Sequence, residues 1–253
     1  MSSFDRRSEI VRYLRENERA STRTLSEHFQ VSEVTIRHDL MTLEKQGWLA
    51  RVHGGAEIAP NLQPEQPFEA RQRLHLAEKA NIAKAAAALV QPGDTIMLDS
   101  STTAFQLALQ LKALTPLRVV TNNLHVVATL SPIQGIEVVL IGGVVRSETA
   151  SAVGPQAEEM LSHLHANKGF FGAAGLTAER GLTDADIREV QVKRAMVKAV
   201  DLVNVLLDAS KFGQQSFLTF APLAEVDHLF TDDKIPAEHV QICEDFGIKL
   251  TVI

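Results

Sequence analysis

The chain has 253 residues, 45% of them hydrophobic, and a formal net charge of −6. This suits one large or two smaller domains with a real core, and it excludes disorder by composition and a generic polyanion binder. The single cysteine, Cys243, excludes an internal disulfide framework or thiolate zinc site; with no apolar signal segment in MSSFDRRSEI and no run near the ~18 apolar residues of a membrane span, a cytoplasmic setting is expected.

Three short helical patterns come first. Asp5 to Asn17 places Ile10, Val11 and Leu14 on one face, Thr22 to Phe29 does so with Leu25 and Phe29, and Ser32 to Gln46 with Ile36, Leu40 and Leu43. Thr22 and Ser32 are the expected N-caps, and Gln30-Val31 makes a tight turn between the last two helices. The run WLARVHGGAEI then reads as a strand, a Gly-Gly turn and a returning strand. Residues 1–57 carry nine basic and nine acidic side chains, so DNA binding here requires basic groups sorted onto one face. At about 100° per residue, Val34, His38, Met41 and Lys45 fall opposite the stripe of Ile36, Leu40 and Leu43, flanked by Arg37 and Thr42. Exposed apolar groups beside Arg and His suit a major-groove reader, where methyl contacts and donors to base edges act together; a solvated face of a small helical bundle has the same pattern.

The run VSEVTIRHDLMTLEKQGWLARVHGGAEI, with RRSEIVRYL upstream, resembles the helix-turn-helix signature of the DeoR family of bacterial regulators. The family's recognition core is Thr-Ile-Arg-Arg-Asp-Leu; here it is Thr35-Ile36-Arg37-His38-Asp39-Leu40, with His38 in place of the second Arg. The resemblance implies a winged helix-turn-helix on double-stranded operator DNA, with Thr22, Ser32, Val34, Thr35, Arg37, His38, Met41 and Lys45 on the helices and Arg51, His53, Gly54 and Gly55 in the wing. Arg6 and Arg7 read equally as phosphate clamps or as surface charge.

APNLQPEQP (59–67) marks a linker by its three prolines, and Phe68 to Val90 reads as one long helix. From Pro92 on, strand-like runs recur: TIMLD (95–99), LRVVTN (117–122), EVVLIGG (137–143), GFFGAAG (169–175), VNVLLD (203–208), HLFTD (228–232) and IKLTVI (248–253). Helical stretches separate most of them, which predicts βαβ units and an α/β domain with a mostly parallel sheet. The expected division is 1–58 for the DNA-binding domain, 59–74 for the linker and 75–253 for a sensing domain.

Asp99-Ser100-Ser101-Thr102-Thr103 ends one strand and opens a helix, where hydroxyls and unpaired N–H groups hold an anion; a serine-capped turn has the same sequence. Thr121-Asn122-Asn123, Gly142-Gly143 with Arg146, and Asp208 to Gly213 with Lys211 stand at further carboxyl ends of strands, where ligands of open α/β sheets collect. Residues 70–253 resemble the DeoR effector domain, similar in fold to ribose-5-phosphate isomerase. That resemblance implies a phosphorylated-sugar effector, a phosphate cradle of Ser100, Ser101, Thr102 and Thr103 beside Asp99, and Asn122, Arg146 and Lys211 facing the ligand. The isomerase-like site handles protons with an acid in a Gly-Ala-Asp segment; here Gly172-Ala173-Ala174-Gly175 supplies none, so no catalytic residue is assigned. Asp184, Asp186, Glu189, Lys193 and Arg194 form a charged cluster that reads as a polar contact or a solvated helix face. With no G-x-G-x-x-G, Walker loop or metal-ligand spacing, no cofactor or metal is expected. The overall expectation is a regulator of a carbohydrate operon, working as a dimer or tetramer, with an isomerase-like enzyme carrying a DNA-binding head as the rival.

Overall fold

The computed structural model describes residues 3–45, 49–52, 54–58 and 67–253. The chain divides into two compact units, 1–65 and 66–253.

In the smaller unit, α1 (Ser3–Asn17), α2 (Thr22–Phe29) and α3 (Glu33–Lys45) bury Ile10, Leu14, Leu25, Ile36, Leu40 and Leu43 against one another. The predicted hairpin forms as β2 (Leu49–Val52) and β3 (Gly55–Ile58), and a strand not anticipated from sequence, β1 (Arg19–Ser21), adds to it in the antiparallel order β1-β3-β2. Glycine at 55 permits this closure, since a Cβ there would lie 2.1 Å from the Ala20 carbonyl oxygen.

The larger unit begins with α4 (Phe68–Arg73) and α5 (Leu76–Ala87). These replace the single long helix expected from Phe68 to Val90. The break falls where Leu74 is extended and His75 takes a φ of 50°. Then come β4 (Thr95–Leu98), α6 (Thr102–Gln110), β5 (Leu117–Thr121), α7 (Leu124–Leu130), β6 (Ile136–Leu140), a hairpin of β7 (Val144–Arg146) and β8 (Ser151–Val153), α8 (Pro155–Leu161), β9 (Ala166–Phe171), β10 (Gly175–Thr177), β11 (Gly181–Asp184), α9 (Ile187–Lys198), β12 (Val200–Leu206), β13 (Leu218–Ala221), β14 (His228–Thr231), α10 (Ala237–Asp245) and β15 (Lys249–Val252).

All seven apolar runs read from the sequence join one parallel sheet, ordered β15-β14-β12-β9-β4-β5-β6. Each strand buries alternate residues on opposite faces. Ile96, Leu98, Val119, Phe170, Leu206 and Phe230 join the core beneath α5 and α6, while Met97, Val120, Phe171, Val205 and Leu229 join the core beneath α8 and α9. Burial on both faces is why these strands read as continuous apolar runs. A small antiparallel sheet, β10-β11-β13, accompanies the main one.

The strand order locates the point where the sheet's connections diverge. From β4 the chain winds outward through β5 and β6, whereas β9 winds the other way through β12, β14 and β15. The carboxyl ends of β4 and β9 therefore flank a topological switch point, the place where ligands of open α/β sheets collect.

Candidate functional site

The face of α3 expected to meet DNA is exposed. Val34 is 71% exposed and Met41 42%, with exposed Arg37 and His38 between them, while Ile36, Leu40 and Leu43 are buried as the periodicity requires. Ser32 caps α3 by accepting from the Thr35 amide at 3.1 Å, and Thr35, half-buried, shares a hydrogen bond with the Ser32 hydroxyl. Arg37 pairs with Glu33 at 2.7 Å. In the wing Arg51 is exposed and Gly54, at φ 78°, makes the turn that precedes buried Gly55. His53 and the side chain of Lys45 lie outside the described residues.

Two expectations change here. The cap of α2 is Ser21, which accepts from the Thr24 amide, and not Thr22. Thr22 is buried, and its own amide donates to the Gly54 carbonyl, tying α2 to the wing turn. Arg6 and Arg7 are not plain surface charge, since both face Asp39. Arg6, 9% exposed, binds Asp39 at 2.6 Å, and Arg7 reaches the other oxygen of the same carboxylate at 3.6 Å. The acid of the recognition core thus points inward and joins α3 to α1.

At the switch point of the larger unit stands Asp99, fully buried. It accepts from the Ser101 amide on its own loop and from the Gly172 amide beyond β9, both at 2.9 Å, so it bridges the diverging halves of the sheet. Gly172 packs so closely that a Cβ would meet the Ser101 Cβ at 2.5 Å. Ser101 caps α6 by accepting from the Ala104 amide. Ser100, Ser101, Thr102 and Thr103 are all buried at the start of α6, whose first-turn amides have no partners within the helix. On the next strand Asn122 donates to the Ala152 carbonyl at 3.1 Å; its Oδ1 is buried and has no hydrogen-bond partner among the described residues. Asn123 caps α7.

The charged cluster that read as a possible solvated face is largely interior. Lys193, 3% exposed, contacts Asp99 at 2.9 Å, Asp184 at 2.6 Å and the Gly172 carbonyl at 2.8 Å. Burial alone would lower its pKa, but Asp184 and Asp99 outweigh this and hold it above the usual lysine range. Arg146 is buried and contacts Glu189 at 3.1 Å and Asp186 at 3.3 Å. Burial opposes ionisation of Asp186, and Arg188 and Arg146 overcome it, leaving its pKa lowered. Arg194 stays exposed.

Sequence reasoning missed Lys79. It sits on α5, buried, with Nζ donating to the Arg71 carbonyl at 2.6 Å. Burial lowers its pKa to about 8; Asp208 opposes that, and nearby Lys211 and Arg71 add to it. Half-buried Lys211 follows Asp208, which caps this short turn. Two lysines and an arginine thus share one low-dielectric neighbourhood, a place suited to an anion. The sequence holds no signal for Lys79, since Lys84 stands in the same alanine-rich run. A hollow of about 470 Å³ opens elsewhere, at the amino ends of β4 and β5, among Gly93, Arg118, Gly135 and Glu137. It is remote from these loops and contains none of their residues.

Comparison with known proteins covers both units. Residues 6–61 match the DeoR-like helix-turn-helix domain and residues 74–233 the DeoR C terminal sensor domain. The glycerol-3-phosphate regulon repressor of Escherichia coli (strain K12) is 32% identical over 99% of this chain and 99% of that protein. The HTH-type transcriptional regulator GolR of Listeria innocua is 34% identical over 100% and 99%, and the HTH-type transcriptional repressor GlcR of Bacillus subtilis is 34% identical over 96% and 93%. Among solved structures, ribose 5-phosphate isomerase A of Methanocaldococcus jannaschii superposes with a TM-score of 0.39 at 20% identity, covering 53% of each chain.

Proposed function

The chain belongs to the DeoR family of helix-turn-helix transcriptional regulators, and from that premise we propose that it is a cytoplasmic repressor of a carbohydrate operon released by a phosphorylated sugar. What supports the sensing half is the set of buried polar groups beyond the carboxyl ends of β4 and β5, Asp99 to Thr103 and Asn122, with Arg146 tied to Ser100 through Glu189. Lys79 on α5 and Lys211 after β12 bring two amino groups into one neighbourhood, Lys79 carrying its charge below about pH 8. Val34, Arg37, His38 and Met41 read the major groove, and Arg51 with the Gly54 turn meets the backbone. Pairing of two copies would set two such faces on operator half-sites.

A non-catalytic role fits the chemistry of these groups. General acid–base work needs a carboxylate free to exchange a proton with substrate. Asp99 is held by Lys193 and two amides, Glu189 by Arg146 and three hydroxyls, and position 174 is alanine. The signal has a route out of this site. Phe68, 1% exposed at the start of α4, donates its amide to the Glu148 carbonyl in the β7–β8 hairpin and stacks on His125 at 4.2 Å, two residues beyond Asn123. Phe68 is one residue beyond Pro67, where the described part of this unit begins. An effector shifts the equilibrium only if it binds the DNA-free and DNA-bound states unequally.

The test is a gel-shift on the promoter beside the chain's own gene, titrated with pentose and hexose phosphates. Release by one member of the panel is expected. Turnover of that compound by the purified protein would overturn the sensor reading, as would DNA binding indifferent to every member.

A further inference from the structure

Glu189 sits in the first turn of α9 and is 2% exposed. Its Oε2 accepts the Ser100 hydroxyl at 2.8 Å. Its Oε1 accepts the Thr149 hydroxyl at 2.7 Å, Nη1 of Arg146 at 3.1 Å and the Ser151 hydroxyl. One carboxylate therefore joins the loop after β4 to both strands of the β7–β8 hairpin, with Ser100 the donor on its Oε2.

This arrangement settles what Ser100 offers to a ligand. A serine hydroxyl has one proton to donate and two lone pairs to accept with. The proton of Ser100 is committed to Glu189, and turning it away would strip Oε2 of a donor on a carboxylate only 2% exposed, where an unpaired charged oxygen is strongly disfavoured. Ser100 is left as an acceptor. A phosphate dianion consists of acceptors and gains nothing from it, whereas a sugar hydroxyl has a proton to give. Ser101 differs: its oxygen accepts from the Ala104 amide, and its proton remains available to an anion.

We infer that Glu189 is a positioning residue that makes Ser100 a reader of a sugar hydroxyl, leaving the phosphate to Ser101 and the first-turn amides of α6. The inference rests on the phosphosugar reading above and divides the expected cradle in two: phosphate on one side of Ser100, sugar identity on the other. Ser100 thereby becomes a determinant of which epimer is accepted, because only one configuration of a ring or chain carbon places its hydroxyl toward the Ser100 oxygen.

Calorimetry on the full chain tests this with ribose 5-phosphate, glucose 6-phosphate, fructose 6-phosphate and inorganic phosphate as probes. In Ser100→Ala, binding of the preferred phosphosugar is expected to weaken about tenfold, inorganic phosphate to change less than twofold, and discrimination among the sugars to narrow. Glu189→Gln should reproduce the same split, and the Ser100 variant keeps the test intact if the Glu189 variant fails to fold. Equal weakening toward phosphosugar and inorganic phosphate would place Ser100 on the phosphate and overturn the inference. No change toward either would remove Ser100 from the ligand. If the unaltered protein binds none of the four probes, the sensor reading itself falls, a different failure from either of these.

Discussion

The two candidate surfaces are built in opposite ways. The recognition face of α3 is exposed, with Val34 71% open and Arg37 and His38 beside it, and what fixes it lies behind, in the buried Asp39 held by Arg6. The candidate sensing site keeps its polar groups inside, with Asp99, Ser100, Thr102, Asn122, Arg146, Glu189 and Lys193 all 5% exposed or less. A DNA duplex is large, rigid and outside, so its reader must present side chains to solvent. A small anion is met by a few groups whose geometry is preset by their neighbours, since a buried donor that must reorganise on binding loses affinity. The smaller unit uses arginine both as exposed display, at Arg37, and as internal bracing, at Arg6, whereas in the larger unit Arg146 is an internal brace.

The largest expected effect breaks the bracing behind the display. Asp39→Ala leaves Arg6 buried without its carboxylate, a loss of about 3–5 kcal/mol. Urea unfolding should show the smaller unit melting early while the larger one holds; coincident loss of both units would mean that the bracing is not local. Acid probes the other unit. His228, 7% exposed, has its pKa lowered to about 4 by burial and by Lys249. The folded state then binds fewer protons than the unfolded one between that value and the ordinary histidine pKa of about 6.5. Stability is therefore intact above pH 6.5 and is lost as pH falls toward 4, by up to roughly 3 kcal/mol. His228→Gln should flatten that part of the curve, and an unchanged slope would assign the acid lability elsewhere.

Arg37→Ala removes a displayed group and should cost about 1–3 kcal/mol of operator discrimination, with unfolding midpoints unmoved. A loss shared equally by random DNA would make Arg37 a phosphate contact only. The smallest effect concerns Lys79. With its pKa lowered to about 8, it carries charge below that pH and loses it above. Phosphosugar affinity should fall by up to tenfold per pH unit above about pH 8, with proton uptake on binding in that range, and Lys79→Met should abolish both. A slope that survives in the variant would take Lys79 out of the site.

Some of this was plain in the amino-acid order. Continuous apolar runs such as TIMLD and VNVLLD specify strands covered on both faces, and all seven took their places. The 3.6-residue period of Ile36, Leu40 and Leu43 specified which face of α3 turns outward. The shorter strands were missed for the complementary reason. Arg19–Ser21 and the strands of the β10-β11-β13 sheet are three or four residues long and hold too few side chains to show a period. The break at His75 was hidden because residues on both sides of it are good helix formers.

The sequence by itself determined the periodic parts of this protein: two folding units, a parallel sheet, and an outward helix face bearing Val34, Arg37, His38 and Met41. Periodicity is local, and burial acts on it residue by residue. Only the tertiary structure decided the partners of the charged groups, because an ion pair forms by proximity in space, and sequence distance does not encode it. Arg6 meets Asp39 33 positions away and Ser100 meets Glu189 89 positions away. Those long-range pairings determine that Arg6 is a brace while Arg37 stays exposed, and that the Ser100 hydroxyl is bound to Glu189.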